Sequence, residues 1–170
     1  MREMLVAPVR RGAIVVGKAL GGATAGMTQG VIVLAIGPLV GIPFSPLLIV
    51  ELLGLLVILS FAVTSIGVLV AVRIRSFQAF MALVQIIIMP LFFLSGALFP
   101  MSNLPTWLAV ATRIDPLTYA VDPMRKAVLA DLGTHGFSGI AMPVALEIGI
   151  VAATGLIALA IAAYEFGKTV

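Results

Sequence analysis

The chain has 170 residues, of which 62% are hydrophobic and 10% charged. An ordinary soluble domain carries roughly 45–50% apolar and about 25% charged residues, so too few charges are present here to coat a water-facing surface, and mean hydropathy of +1.25 agrees. A soluble globular domain is therefore excluded. The length allows one domain. Cysteine is absent, which excludes disulfides, thiol catalysis and cysteine-ligated metal. The pI near 9.8 goes with a net charge of only +3, too little for a continuous basic face, so nucleic acid is not an expected partner.

No charged residue occurs between Lys18 and Glu51, Glu51 and Arg73, Arg75 and Arg113, or Glu147 and Glu165. About 20 mainly apolar helical residues cross a hydrocarbon core of ~30 Å. Backbone groups in lipid must be satisfied within the segment, so these runs read as helices. The fold expected is all-α and polytopic, with four transmembrane helices and an outer region of short helices. The first span is placed at 19–40, ending near Pro38, Gly41 and Pro43. The second covers 47–72 and is started by Pro46, since proline suits a first helical turn whose N–H would be unpaired. The third covers 77–98 with Pro90 inside it as a kink, and the fourth covers 143–164, opened by Pro143.

Arg10, Arg11 and Lys18 flank the first span, and Arg73 and Arg75 lie between the second and third. The positive-inside rule puts both clusters in the cytoplasm. With four spans both termini are then cytoplasmic, and the inner side carries net +5 against net −2 outside. The expected location is the inner or plasma membrane, with residues 165–170 as a cytoplasmic tail. A cleaved signal peptide does not fit, because its apolar region is only ~7–15 residues long.

Residues 1–18 form an amphipathic lead-in, broken by Pro8. Its arginines suit either anionic lipid headgroups or a docked partner. Residues 99–142 are too long for a passive connector. Within them Trp107 and its apolar neighbours read as a helix at headgroup depth. Asp115-Pro116 and Asp122-Pro123 each pair a capping acid with proline at the first helical position. The outer short helices are placed at 104–131, re-entering the membrane where protein buries their backbone. The glycines around His135 then make a flexible return.

Gly12 to Lys18 matches the spacing of a phosphate-binding loop, but Ala19 replaces the magnesium-ligating hydroxyl and no strand precedes it, so the match is fortuitous. Gly22, Gly26 and Gly30 recur every four residues and permit close helix packing, within one protomer or across a dimer seam. Glu51 and Glu147 start the second and fourth spans. They are candidates for substrate or proton handling, or simply boundary carboxylates favoured by helix N-termini. Gln29, Gln85 and Thr64 lie deeper, where they can hydrogen-bond between helices. His135 is the one histidine, so no histidine cluster can hold a metal. Ser65 and Ser95 have no histidine at their depth to activate them. No catalytic residue, metal site or cofactor is expected in this chain.

Three stretches carry a resemblance. Glu3, Met4, Leu5, Val6, Ala7, Pro8, Val9, Arg10 and Arg11, with Ile14 to Lys18, resemble the segment after the ATPase-contacting helix in permease subunits of type-2 ABC exporters. Phe92-Phe93-Leu94-Ser95-Gly96-Ala97-Leu98-Phe99-Pro100 resembles the end of that family's fifth span. Leu104-Pro105-Thr106-Trp107-Leu108, Asp115-Pro116-Leu117-Thr118-Tyr119 and Asp122-Pro123-Met124-Arg125 resemble its outer re-entrant region. The resemblance implies an efflux permease that pairs with a second permease and binds a separate subunit, which holds and hydrolyses ATP. It assigns Met4, Leu5, Val6, Pro8, Val9, Arg10 and Arg11 to coupling. It assigns Pro100, Pro105, Trp107, Asp115, Pro116, Tyr119, Asp122 and Arg125 to the outer region. It also implies that the spans here correspond to the third to sixth of the usual six. A truncated or accessory membrane scaffold without transport activity is the alternative.

Overall fold

The computed structural model describes residues 11–42, 45–74, 76–98, 105–133, 140 and 142–168. Among them lie six α-helices: α1 (Arg11–Ile36), α2 (Pro46–Arg73), α3 (Phe77–Leu94), α4 (Thr106–Ile114), α5 (Thr118–Asp131) and α6 (Val144–Lys168). Four are long and apolar enough to cross a membrane: α1 with its 3-10 extension to Leu39, α2, α3 and α6. The all-α polytopic architecture expected from the charge-free runs is what is found.

The helix starts follow local chemistry. Ser45 caps α2 by accepting the Leu48 N–H at 3.1 Å, and Pro46 occupies the first turn. Ser76 does the same for α3 through the Ala79 N–H at 3.2 Å. Each satisfies a backbone donor that has no partner inside the helix. Three spans depart from their expected bounds, the fourth by running through Lys168 rather than ending at 164. The first helix already includes Arg11 to Lys18, ahead of the expected 19, because nothing in 11–18 breaks a helix and Lys18 can extend from its side. The third stops at Leu94 rather than 98, since Gly96 takes a left-handed φ of 75° that ends a helix at low steric cost.

The packing centres on α2. Buried Val15 and Ala19 continue into Gly22, Gly26 and Gly30 as one stripe of α1. A Cβ at Gly22 would strike the Thr64 side chain, one at Gly26 would lie 3.2 Å from Ser60 Oγ, and one at Gly30 2.9 Å from Leu56. The pairs 22–64, 26–60 and 30–56 run in opposite directions, so α1 is antiparallel to α2. The glycine stripe is a seam inside the protomer. On another face Gly155 of α6 meets Ala62, and Arg73 pairs with Glu165, so α6 runs parallel to α2. Its buried face is Glu147, Val151, Gly155, Ala158 and Ala162. Lys18, Arg73, Glu165 and Lys168 thus share one end of the bundle, while Glu51, Lys126 and Glu147 share the other. In α3, by contrast, no residue is buried.

Lipid gives apolar helices little reason to associate beyond close contact, so losing contact should be costly. A Cβ at Gly155 would sit 2.8 Å from the Ala62 Cα, where backbone has to move, whereas Gly149 on the same helix has open space. Gly155→Ala should destabilise the detergent-solubilised chain by about 1–3 kcal/mol. Gly149→Ala should be neutral or stabilise it by up to about 1 kcal/mol. Thermal melts of the two variants check the contrast.

Candidate functional site

The site is built on α5. Ala120, near its start, packs with Ala62 and Val151, while Ala127 packs with Leu48 and Leu52. Ala62 lies about 15 Å further along α2 than Leu52 at 1.5 Å per residue. The start of α5 therefore reaches the middle of the bundle, and the helix climbs along α2 toward its N-terminal end. This is the packing that a re-entrant helix requires, its side against α2 rather than facing outward.

On one side α5 closes the end of α3. Arg125 donates to the Gly96 carbonyl and, at 3.4 Å, to that of Ala97. Thr118 Oγ1 donates to the Leu94 carbonyl at 3.5 Å. These are carbonyls that a helix C-terminus leaves without intrahelical partners. In the turn before α5, Asp115 Oδ1 accepts the Leu117 N–H at 2.9 Å and Oδ2 accepts from Thr118 Oγ1 at 3.4 Å. Burial pushes the Asp115 carboxyl up to about 6 from its usual 3.8, and these two hydrogen bonds only partly oppose it. The Tyr119 hydroxyl donates to the Arg113 carbonyl at 2.7 Å and ties α4 to α5.

On the other side α5 is bound to α6. Lys126 Nζ stands 2.7 Å from Asp122 Oδ2 and 2.7 Å from Glu147 Oε1. It also donates to the carbonyls of Ile140 at 3.0 Å and Met142 at 3.4 Å. Asp122 Oδ2 accepts the Ile140 N–H at 3.1 Å. Both carboxylate side chains are 1% exposed or less. Burial works against the Lys126 charge, but the hydrogen bonds and charges of Asp122 and Glu147 outweigh it and hold the ammonium above its ordinary range. Beside it a cavity of about 420 Å³ is lined by Lys126, Glu51, Asp131, Pro123 and apolar groups of α2, α5 and α6.

The sequence pattern described as ABC-2 type transporter matches residues 1–129. The chain belongs to the ABC-2 type transporter family. It is 32% identical over 130 residues to nodulation protein J of Rhizobium leguminosarum bv. trifolii, covering 74% of this chain and 48% of that protein. It is 31% identical over 130 residues to the probable multidrug ABC transporter permease YbhR of Escherichia coli strain K12, covering 76% of this chain and 35% of that one. The chain thus spans about half, or less, of the length of these curated relatives. No solved structure matches it significantly.

In this ABC-2 chain the outer residues named from sequence come together unevenly. Asp115, Tyr119, Asp122 and Arg125 converge on α5 and its neighbours, as above. Pro105 precedes α4 and Pro116 lies in the α4–α5 turn. Trp107 is 72% exposed, on one stripe with exposed Val110 and Ile114, which suits a helix lying at an interface. Asp122-Pro123 is not a helix start: both residues lie inside α5, and the carboxylate serves Lys126 instead. Glu147 is wholly buried rather than reaching water, whereas Glu51 is exposed at the cavity. Gln29 and Gln85 are exposed, and Gln29, Gln85 and Thr64 make no hydrogen bond among the described residues. Met4, Leu5, Val6, Pro8, Val9, Arg10 and Pro100 lie outside the described residues, and of Arg11 only its place at the start of α1 is described. Sequence reasoning missed Lys126 and Thr118. The four-residue spacing of Asp122 and Lys126 was a usable signal, while Thr118 gave none.

Because the Asp115 pKa is higher folded than unfolded, the folded chain binds more protons between about 4 and 6, and stability falls as pH rises through that window. Asp115→Asn removes this contribution. Relative to wild type it should be more stable above about pH 6 than at pH 4, in melts across that range.

Proposed function

We propose that this chain is the membrane-crossing part of an ATP-driven exporter, working with a separate ATPase subunit and a second permease copy. The family match over residues 1–129, on a chain with four helices long and apolar enough to cross a membrane, carries this reading. ATP is bound by the partner, and the segment 1–18 docks it, through Met4, Leu5, Val6, Pro8, Val9, Arg10 and Arg11. The end bearing Lys18, Arg73 and Lys168 faces the cytoplasm by the positive-inside rule, which puts α4, α5 and the 420 Å³ cavity on the far side. Between α2 and α3 lies a second cavity of about 180 Å³, lined by Val63, Ile66, Phe80, Val84, Ile87, Leu91 and other apolar groups. Walls of this kind suit an apolar substrate such as a drug or lipid.

The surface of α3 supports pairing with a second copy. Met81, Val84, Gln85, Ile88 and Met89 line a shallow groove along it. Their spacing is that of one helix face. The Gln85 amide is exposed there without a hydrogen-bond partner among the described residues, and an unpaired amide in hydrocarbon is costly enough to favour a partner helix.

Two experiments test this reading. Tagged chain purified from its native membranes should bring down ATP-hydrolysing activity, and joint replacement of Leu5, Val6 and Arg10 by Asp should abolish it. Retained activity would mean that the docking segment is wrongly placed. The chain is free of cysteine, so a Gln85→Cys variant carries a single thiol. Mild oxidation in the membrane should give a covalent dimer, while Ile86→Cys, beside the groove, should not. Equal cross-linking of both would remove α3 as the pairing helix.

A further inference from the structure

We propose that Asp122, Lys126 and Glu147 form a binding site for one proton, shared by the two carboxyl groups, and that this proton fastens α5 to α6. The argument begins with valence. An ammonium has three N–H donors, yet four oxygens crowd Lys126 Nζ: Asp122 Oδ2, Glu147 Oε1 and the carbonyls of Ile140 and Met142. The second oxygens, Asp122 Oδ1 and Glu147 Oε2, are buried and have no hydrogen-bond partner among the described residues. With both acids ionised the cluster carries net −1 and two buried acceptors without donors, an arrangement that burial penalises even where one counter-ion is present. A single added proton makes the cluster neutral and turns one of two acceptor-only carboxylates, both held on the same ammonium, into a donor.

The surrounding charges agree. From α2, Glu51 lines the adjoining cavity; from α5, Asp131 does so too, while Arg125 is turned to the carbonyls of Gly96 and Ala97. The charged residues of α1, and the others of α6, are at the opposite end of the bundle. Every further charge at the cavity is therefore negative, which favours proton uptake. Lys126 lines the cavity and is 27% exposed, so a proton has a route in. A helix N-terminus does favour the ionised form of Glu147, but it leaves Oε2 without a donor. A metal ion in place of the proton would have to sit beside the ammonium. Loss of the proton leaves two carboxylates competing for one cation, and the contact of α5 with α6 loosens.

Infrared spectroscopy of the full chain in detergent tests this directly, independently of any ATPase or substrate. At neutral pH wild type should show the carbonyl stretch of a protonated carboxylic acid, shifted in D2O and lost on alkalinisation. Asp115→Asn, which removes the other buried carboxyl, should retain it. Because the proton is shared, Asp122→Asn and Glu147→Gln should each abolish the band, since either leaves a simple one-to-one pair with Lys126. Hydrogen exchange of α5, corrected for its intrinsic pH dependence, should rise on alkalinisation in wild type but not in Glu147→Gln. Absence of the band in wild type overturns the proposal without recourse to any variant. So does a band that survives both substitutions, or an α5 exchange profile that is the same in wild type and Glu147→Gln.

Discussion

In hydrocarbon, an apolar side chain gains almost nothing by exchanging lipid for another helix, so a membrane bundle is held by close contact and by polar groups with nowhere else to go. The first device is concentrated on α2. Along α1 and α6 the residues facing it are small: Ala19, Gly22, Gly26 and Gly30 on one side, Gly155, Ala158 and Ala162 on the other. The backbones therefore approach closely enough for dispersion to accumulate. Everything else in the fold is arranged around this three-helix unit.

The polar device works at the end of the bundle that carries α5. That helix lies partly at the depth of Ala62, where unpaired backbone and side-chain groups cannot turn to water. Its charged and hydroxyl side chains are accordingly spent on neighbours. Arg125 and Thr118 take carbonyls at and just after the end of α3, and Lys126 with Asp122 takes the start of α6, Ile140 and Met142. The composition of 99–142, richer in charge and proline than the spans, is what such a plug requires. A uniformly apolar segment could not have satisfied those helix ends.

The sequence was most legible where one physical constraint acts alone. Four spans, their antiparallel order and the separation of charge to two ends all follow from the cost of charges and unpaired backbone in lipid. Pro46 and Pro143 at the starts of α2 and α6 were readable from the demands of a first helical turn. The Ser45 and Ser76 caps were not read, and Asp115-Pro116 does not cap α5, which starts after Leu117. Legibility failed where two constraints compete. Asp122-Pro123 carries the chemistry of a helix start, but the pull of Lys126 one turn on, together with burial against α2, kept it inside α5. Glu147 carries the chemistry of a boundary carboxylate, and only the three-dimensional path of α5 explains why it is covered. The glycine stripe predicted close packing correctly but left its partner open, because small-residue spacing is the same for a seam within a protomer and one between two.

The ties on α5 differ in kind. Those to α3 end on neutral carbonyls and keep their strength at any pH that leaves arginine charged, which is every accessible one. Those to α6 end on carboxylates and depend on charge balance. The remaining boundary, between α2 and α3, has no buried residue on the α3 side and encloses an apolar cavity instead. Contact is therefore least along α3, whereas α5 is held to α2 by Ala120 and Ala127 and to α6 by the Asp122–Lys126–Glu147 cluster. Of the ties from α5 to α3 and to α6, only those to α6 vary with charge balance.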